Sequence, residues 1–178
     1  SSLNEVRLGR QRFGGETHAY SVAWADHEID EAVSYADKII FNSTQQLERF
    51  AGNASGIVRG LRLNPGVSSS TFDLADPARP FSRLGEWDQA LVMPYMDRIS
   101  GFMIHNNCEN SDFGLFDRML SQIEERFGWE GEILSGGQEA ALGFAGASLA
   151  ARGAVTLIDL GAWAPVIGIL GIAACIAG

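Results

Sequence analysis

The chain has 178 residues, 46% of them hydrophobic, and a formal net charge of −9 set by 22 acidic against 13 basic side chains. A complete eight-stranded α/β barrel takes about 250 residues, so a whole barrel is not expected here, and so acidic a surface argues against nucleic acid as a partner. Two cysteines, Cys108 and Cys175, form no C-x-x-C and no framework of spacings, which excludes a disulfide scaffold and fits a cytoplasmic setting.

The first residues carry no signal-peptide pattern and no initiator methionine, so the chain is expected to begin inside a longer protein. Ser2-Leu-Asn-Glu5 has capping-box spacing and predicts a helix running to Gly14-Gly15. A strand over Ala19 to Ala23 and a helix over Asp26 to Ala36, with Ile29, Val33 and Ala36 on one face, make the next unit. Lys38 to Asn42 reads as a strand, followed by a helix that Ser43 opens, with Gln46 in the capping-box position and Leu47 and Phe50 inward. Ile57 to Leu63 is the third strand. After Asn64-Pro65-Gly66 a long loop rich in Ser, Asp and Pro runs to Arg83, and loops of that length in compact domains usually carry function.

A helix over Asp88 to Arg98 contains Pro94, which should kink or divide it. Then come a strand over Ser100 to Ile104 and a helix over Asp112 to Arg126 with Phe113, Phe116, Leu120 and Ile123 at helical spacing. Four consecutive strand-then-helix units make either a barrel or a doubly wound sheet, and periodicity does not separate the two.

Charge divides the chain. Residues 1–130 form the α/β unit, while residues 131–178 hold only Glu132, Glu139, Arg152 and Asp159 and make a divergent, Gly- and Ala-rich apolar tail. Gln138 to Asp159 mimics a dinucleotide-binding unit without its second and third glycines. Leu160 to Gly178 has no charge and is long enough to span a bilayer, so membrane contact of residues 154–178 is the alternative to a buried or out-of-context segment.

Chemistry concentrates where strands end. His105, in Ile104-His-Asn-Asn-Cys-Glu109, closes a strand and is either a turn or core histidine or a catalytic one. Arg62 alternates with Leu61 and Leu63 and points into the sheet's inner face if those leucines meet the helices; there it needs a carboxylate or another anion. Cys108 is a small hydrophobe or a reactive thiol. Glu109, Asp73 and Asp76 are candidates for a cationic amine, and the acidic chain suits a cationic ligand.

Three stretches, Gly60-Leu-Arg-Leu-Asn-Pro65, Asp76-Pro-Ala-Arg-Pro-Phe-Ser-Arg-Leu-Gly85 and Ile104 to Asn110, together resemble the carboxynorspermidine decarboxylases, from Ser1 to about Phe127. That resemblance implies a partial alanine-racemase-like (β/α) barrel, pyridoxal 5'-phosphate as cofactor, a carboxylated polyamine as substrate, and a homodimer with sites at its interface. It implies that His105 stacks on the pyridoxal ring, that Arg62 lies near the cofactor's phenolic oxygen, that Arg83 and Cys108 sit close to the ring, and that Glu109 meets substrate. The family's cofactor lysine closes an earlier strand. Lys38, the only lysine of the chain, begins one instead, so covalent attachment at the usual position is not expected and the chain by itself is expected to be inactive.

Overall fold

The computed structural model describes residues 2–68, 70, 72–105, 112–128, 155–158 and 172–175. Its elements are α1 (Leu3–Arg12), β1 (His18–Ser21), α2 (Ile29–Tyr35), β2 (Lys38–Phe41), α3 (Thr44–Phe50), β3 (Val58–Leu63), α4 (Gln89–Val92), β4 (Gly101–Ile104), α5 (Phe113–Phe127), β5 (Val155–Ile158) and β6 (Ile172–Cys175). Strands β1 to β4 pair in parallel in sequence order, with His18 level with Lys38, Lys38 with Val58, and Gly60 with Gly101. This order decides between the two architectures. A doubly wound sheet reverses direction from its first strand and takes helices on both faces, whereas a sheet that advances one strand at a time through right-handed crossovers puts every helix on one side, as a barrel does.

The burial pattern says the same. Ala19, Ile39, Phe41, Leu61, Leu63, Phe102 and Ile104 share one face of the sheet and are all but inaccessible, packed with Ile29, Ala32, Leu47, Phe50 and Met119 from the helices. The opposite face carries Tyr20, Ile40, Arg62 and Met103 and corresponds to a barrel interior.

Local chemistry sets the helix ends. The Ser2 hydroxyl accepts from the Glu5 backbone N–H while the Glu5 carboxylate reaches back to Ser2, a complete capping box. Ser43 accepts from Gln46 N–H at 3.2 Å, but the Gln46 side chain turns away to the backbone of Val22 and Asn42 and ties α3 to the neighbouring strand ends. Pro94 divides its helix as expected: α4 is a single turn, and Met93–Arg98 continues as a 3-10 helix. In α5, capped by Asp112 and ended by Gly128 in the left-handed region, the buried line is Leu115, Met119, Ile123 and Phe127. Phe116 and Leu120 flank it, so the inward stripe is turned by about one residue from the expected one.

Beyond α5, β5 and β6 pair antiparallel, Val155 opposite Cys175, and β5 lies against β4. Within the dinucleotide-like stretch Val155–Ile158 is thus a strand, and residues 172–175 of the uncharged segment are extended. The rest of the dinucleotide-like and membrane-like stretches lies outside the described residues. Among the described residues no helix is long and apolar enough to cross a membrane.

One staple closes the N-terminal end of the sheet. Asp37 accepts from Thr17 N–H at 2.8 Å and from Arg10, while its own backbone N–H donates to Thr17. The Thr17 N–H bond holds the Asp37 carboxyl below its ordinary value of 3.8; partial burial opposes this and the Arg10 charge adds to it. A lowered carboxyl contributes stability above its unfolded pKa and loses that contribution as pH falls through the folded one. Asp37→Asn is thus expected to melt below wild type at pH 7, with the gap narrowing as pH drops below about 4. Thermal unfolding of both proteins across that range checks it.

Candidate active site

The strands' C-terminal ends carry a connected set of polar groups on the interior face. Arg62 stands at its centre, 4% exposed, between the inaccessible Leu61 and Leu63 of the opposite face. Its Nη1 donates to the Tyr20 hydroxyl, and its guanidinium carbon lies 5.4 Å from the centre of the Tyr20 ring. Its Nε has no hydrogen-bond partner, and among the described residues no carboxylate forms an ion pair with it. Of the two alternatives left open by the sequence, the ion pair with a neighbouring strand is therefore not the one found. Glu86, whose backbone N–H donates to the Arg62 carbonyl, spends its carboxylate on the backbone N–H and hydroxyl of Thr44, at 2.8 and 2.9 Å.

Tyr20 passes the connection on. Its hydroxyl donates at 3.1 Å to the Asn42 side-chain oxygen, which also accepts from Gly85 N–H at 3.1 Å, while the Asn42 amide donates to the Arg83 carbonyl at 2.6 Å. The motif Ser82-Arg-Leu-Gly85 is thus read through its backbone: Arg83 presents its carbonyl to Asn42 and leaves its side chain exposed. Gly85 has φ +88°, and a Cβ there would lie 2.9 Å from the Leu63 carbonyl carbon and 3.0 Å from Arg62 Cγ. Only glycine lets this segment lie so close on β3. Glu86 then exchanges backbone bonds with Arg62 and Asn64, at 2.9 and 2.7 Å, as a short parallel extension of the sheet.

The long loop is fastened at both ends. Asn64 donates to the Pro77 carbonyl at 2.6 Å and accepts from Gly66 N–H at 2.9 Å, and Asp76 accepts from Ala78 N–H at 2.8 Å in a turn of its own. Asp73 is exposed in a 3-10 turn.

His105 follows β4 directly. Since Arg62 is level with Met103, strand alternation puts position 105 on the same face one step nearer the rim, where the His105 residue is exposed. Arg62 and His105 thus lie at the ends of neighbouring strands, as the sequence implied. Cys108 and Glu109 fall outside the described residues. Lys38 starts β2 at the opposite rim, where it and His18 pair with Glu16, the His18 contact at 2.7 Å. Glu16 is held below its ordinary carboxylate value: burial raises it, and the bonds to Lys38 and His18 lower it further. Gly85 was marked only as the end of the Asp76–Gly85 motif, and Tyr20 and Asn42 were not foreseen as site residues. The trace of these two in the sequence is that positions 20, 42 and 62 each fall one strand-helix unit apart.

Fold and site define the class: a segment of a parallel α/β barrel whose interior face holds a buried guanidinium at the C-terminal ends of its strands. Within that class the similarity is specific. Over 128 residues, 72% of the chain, it is 64% identical to the carboxynorspermidine/carboxyspermidine decarboxylase of Herminiimonas arsenicoxydans, of which it covers 35%. Over 130 residues it is 35% identical to the carboxyaminopropylagmatine decarboxylase of Synechocystis sp., covering 33% of that protein. The crystal structure of carboxynorspermidine decarboxylase from Campylobacter jejuni, complexed with norspermidine, superposes with a TM-score of 0.60 at 30% identity, over 72% of this chain and 32% of that one. No family model matches the chain. The chain spans about a third of the length of the relatives it matches. Over that stretch it is similar to the carboxynorspermidine decarboxylases, as the motifs at Arg62, Gly85 and His105 imply.

A buried, unpaired guanidinium costs stability unless an anion meets it. Arg62→Met, which fills the same space without charge, is expected to raise the stability of the ligand-free chain by about 1 kcal/mol or more. Urea unfolding measures the change; a loss of stability would mean that Arg62 serves the fold rather than a ligand.

Proposed function

We propose that this chain forms the ring-facing part of a pyridoxal-phosphate-dependent decarboxylase of polyamine biosynthesis, which converts carboxynorspermidine or carboxyspermidine to norspermidine or spermidine. The observation that carries this reading is Arg62: a guanidinium 4% exposed on the interior face, with a free Nε and no ion-pair partner among the described residues. Such a donor fits an anionic oxygen of a bound ligand, and the family resemblance implies the phenolic oxygen of pyridoxal phosphate as that oxygen. Pyridoxal phosphate, when bound, supplies an electron sink into which the electrons of the broken carboxylate bond pass.

The chain's own residues then orient and select. Arg62 would donate to the phenolic oxygen and hold the ring's edge, and His105 would stack against the ring and so help orient the substrate bond to be broken. Arg83 and Cys108 belong near the ring, and Glu109 supplies a carboxylate for a substrate ammonium group. Net negative charge favours the approach of a polycationic substrate over a long range. The family resemblance implies a homodimer with sites at its interface, and the stretch matched here is about a third of the relatives' length.

These 178 residues do not include a lysine at the mouth. Lys38 lies at the far rim and is ion-paired to Glu16, so the chain by itself binds the cofactor without a covalent bond and does not turn over substrate. The test is titration with pyridoxal phosphate, then borohydride reduction and peptide mapping. Saturable binding that is lost in Arg62→Met and leaves no phosphopyridoxyl peptide is the expected result. Absence of binding overturns the cofactor reading, and a stoichiometric adduct on Lys38 accompanied by decarboxylation overturns the incompleteness of the site.

A further inference from the structure

We propose that Tyr20 and Asn42 are positioning residues: a relay from Arg62 through the Tyr20 hydroxyl to the Asn42 side-chain oxygen fixes the aim of the guanidinium and ties it to the Arg83–Gly85 segment. The inference rests on the reading of Arg62 as a ligand-facing group, but its geometry stands without any ligand.

A long arginine side chain on an open interior face has many rotamers, and fixing one of them needs contacts on several sides. Arg62 has them. The Tyr20 ring lies 5.4 Å from its guanidinium carbon, the Tyr20 hydroxyl accepts from Nη1, and Gly85 packs against its Cγ with no room for a side chain. A phenol has one proton to give, so a hydroxyl that accepts from a cation must spend that proton on an acceptor. Asn42 is that acceptor, at 3.1 Å, and is itself 5% exposed and pinned at its other end by the Arg83 carbonyl. Every group of the relay thus has a defined role as donor or acceptor, and the direction runs one way, from Arg62 to Asn42. The Gly85 N–H, also on Asn42 Oδ1, adds the loop as the fourth member. A shift of that loop would move the acceptor of Tyr20 and with it the anchor of Arg62, so the segment over the mouth and the aim of the cation move together.

The experiment uses the full chain labelled with 15N-arginine. The Nε–H resonance of Arg62, assigned as the one missing from Arg62→Met, reports the order of that side chain directly. In wild type it should be sharp and slow to exchange. Tyr20→Phe keeps the ring and removes the acceptor, and Asn42→Ala removes the acceptor beyond it; each should broaden or abolish the Arg62 signal while circular dichroism and melting show a folded chain. Affinity for pyridoxal phosphate should fall about tenfold in Tyr20→Phe, the scale of one hydrogen bond to a charged group. An Arg62 signal equally sharp in wild type, Tyr20→Phe and Asn42→Ala overturns the relay whatever the cofactor does. Loss of the signal in both variants, in a chain that binds no pyridoxal phosphate even as wild type, upholds the relay and overturns the cofactor reading alone.

Discussion

A guanidinium buried without a counter-charge among the described residues is the constraint around which the C-terminal rim of this sheet is arranged. Arg62 sits on a strand position whose neighbours, Leu61 and Leu63, are locked into the helix-facing core, so it cannot rotate out to solvent without disturbing that core. Strand alternation alone commits it to the interior. Among the described residues Glu86 is engaged by Thr44, Asn42 by Tyr20, Arg83 and Gly85, and the acidic groups of Asp37 and Glu16 lie at the other rim, so none of them neutralises it.

The two rims of the sheet divide labour as in other barrels. At the N-terminal rim, Asp37 crosses from β2 to Thr17 and Arg10, and Glu16 gathers Lys38 and His18; these bonds close backbone ends and hold strands in register. At the C-terminal rim the polar groups bond in a chain that ends on an unsatisfied donor. Conserving stability at one end and leaving a polar deficit at the other is the pattern of a scaffold that accepts a ligand. The long segment from Asn64 to Glu86 belongs to the second rim, since both its ends are stitched to β3 and its middle carries exposed Phe72, Leu74 and Phe81.

Much of the fold was legible because it rests on local chemistry. Ser2 and Glu5 form the capping box that their spacing requires, Pro94 divides its helix, and the alternation around Arg62 gives the correct face. The architecture itself, barrel or doubly wound, was not legible from periodicity, because the choice lies in which strands are neighbours, and each βα unit reads the same in both. The stripe of α5 differs by about one residue from the expected one because Phe116 and Leu120 lie at the edge of a broad apolar face whose buried line is Leu115, Met119, Ile123 and Phe127. The site was half legible. Arg62 and His105 stand at strand ends, where pattern reveals them, whereas Tyr20 and Asn42 are ordinary residues whose importance comes only from two strands lying side by side.

The proposed reading places an anionic aromatic ligand at the C-terminal rim of the interior face and not at the N-terminal rim, where Lys38 pairs with Glu16 and Arg10 with Asp37. Backbone amide shifts of the full chain during a titration with pyridoxal phosphate test this most directly, because the two rims are separable residue by residue. The account predicts that the changes gather at Gly60, Arg62, Gly85 and His105 and leave Glu16, His18 and Lys38 in place. Changes centred on Lys38 and its neighbours, with the Arg62 rim unmoved, would contradict it.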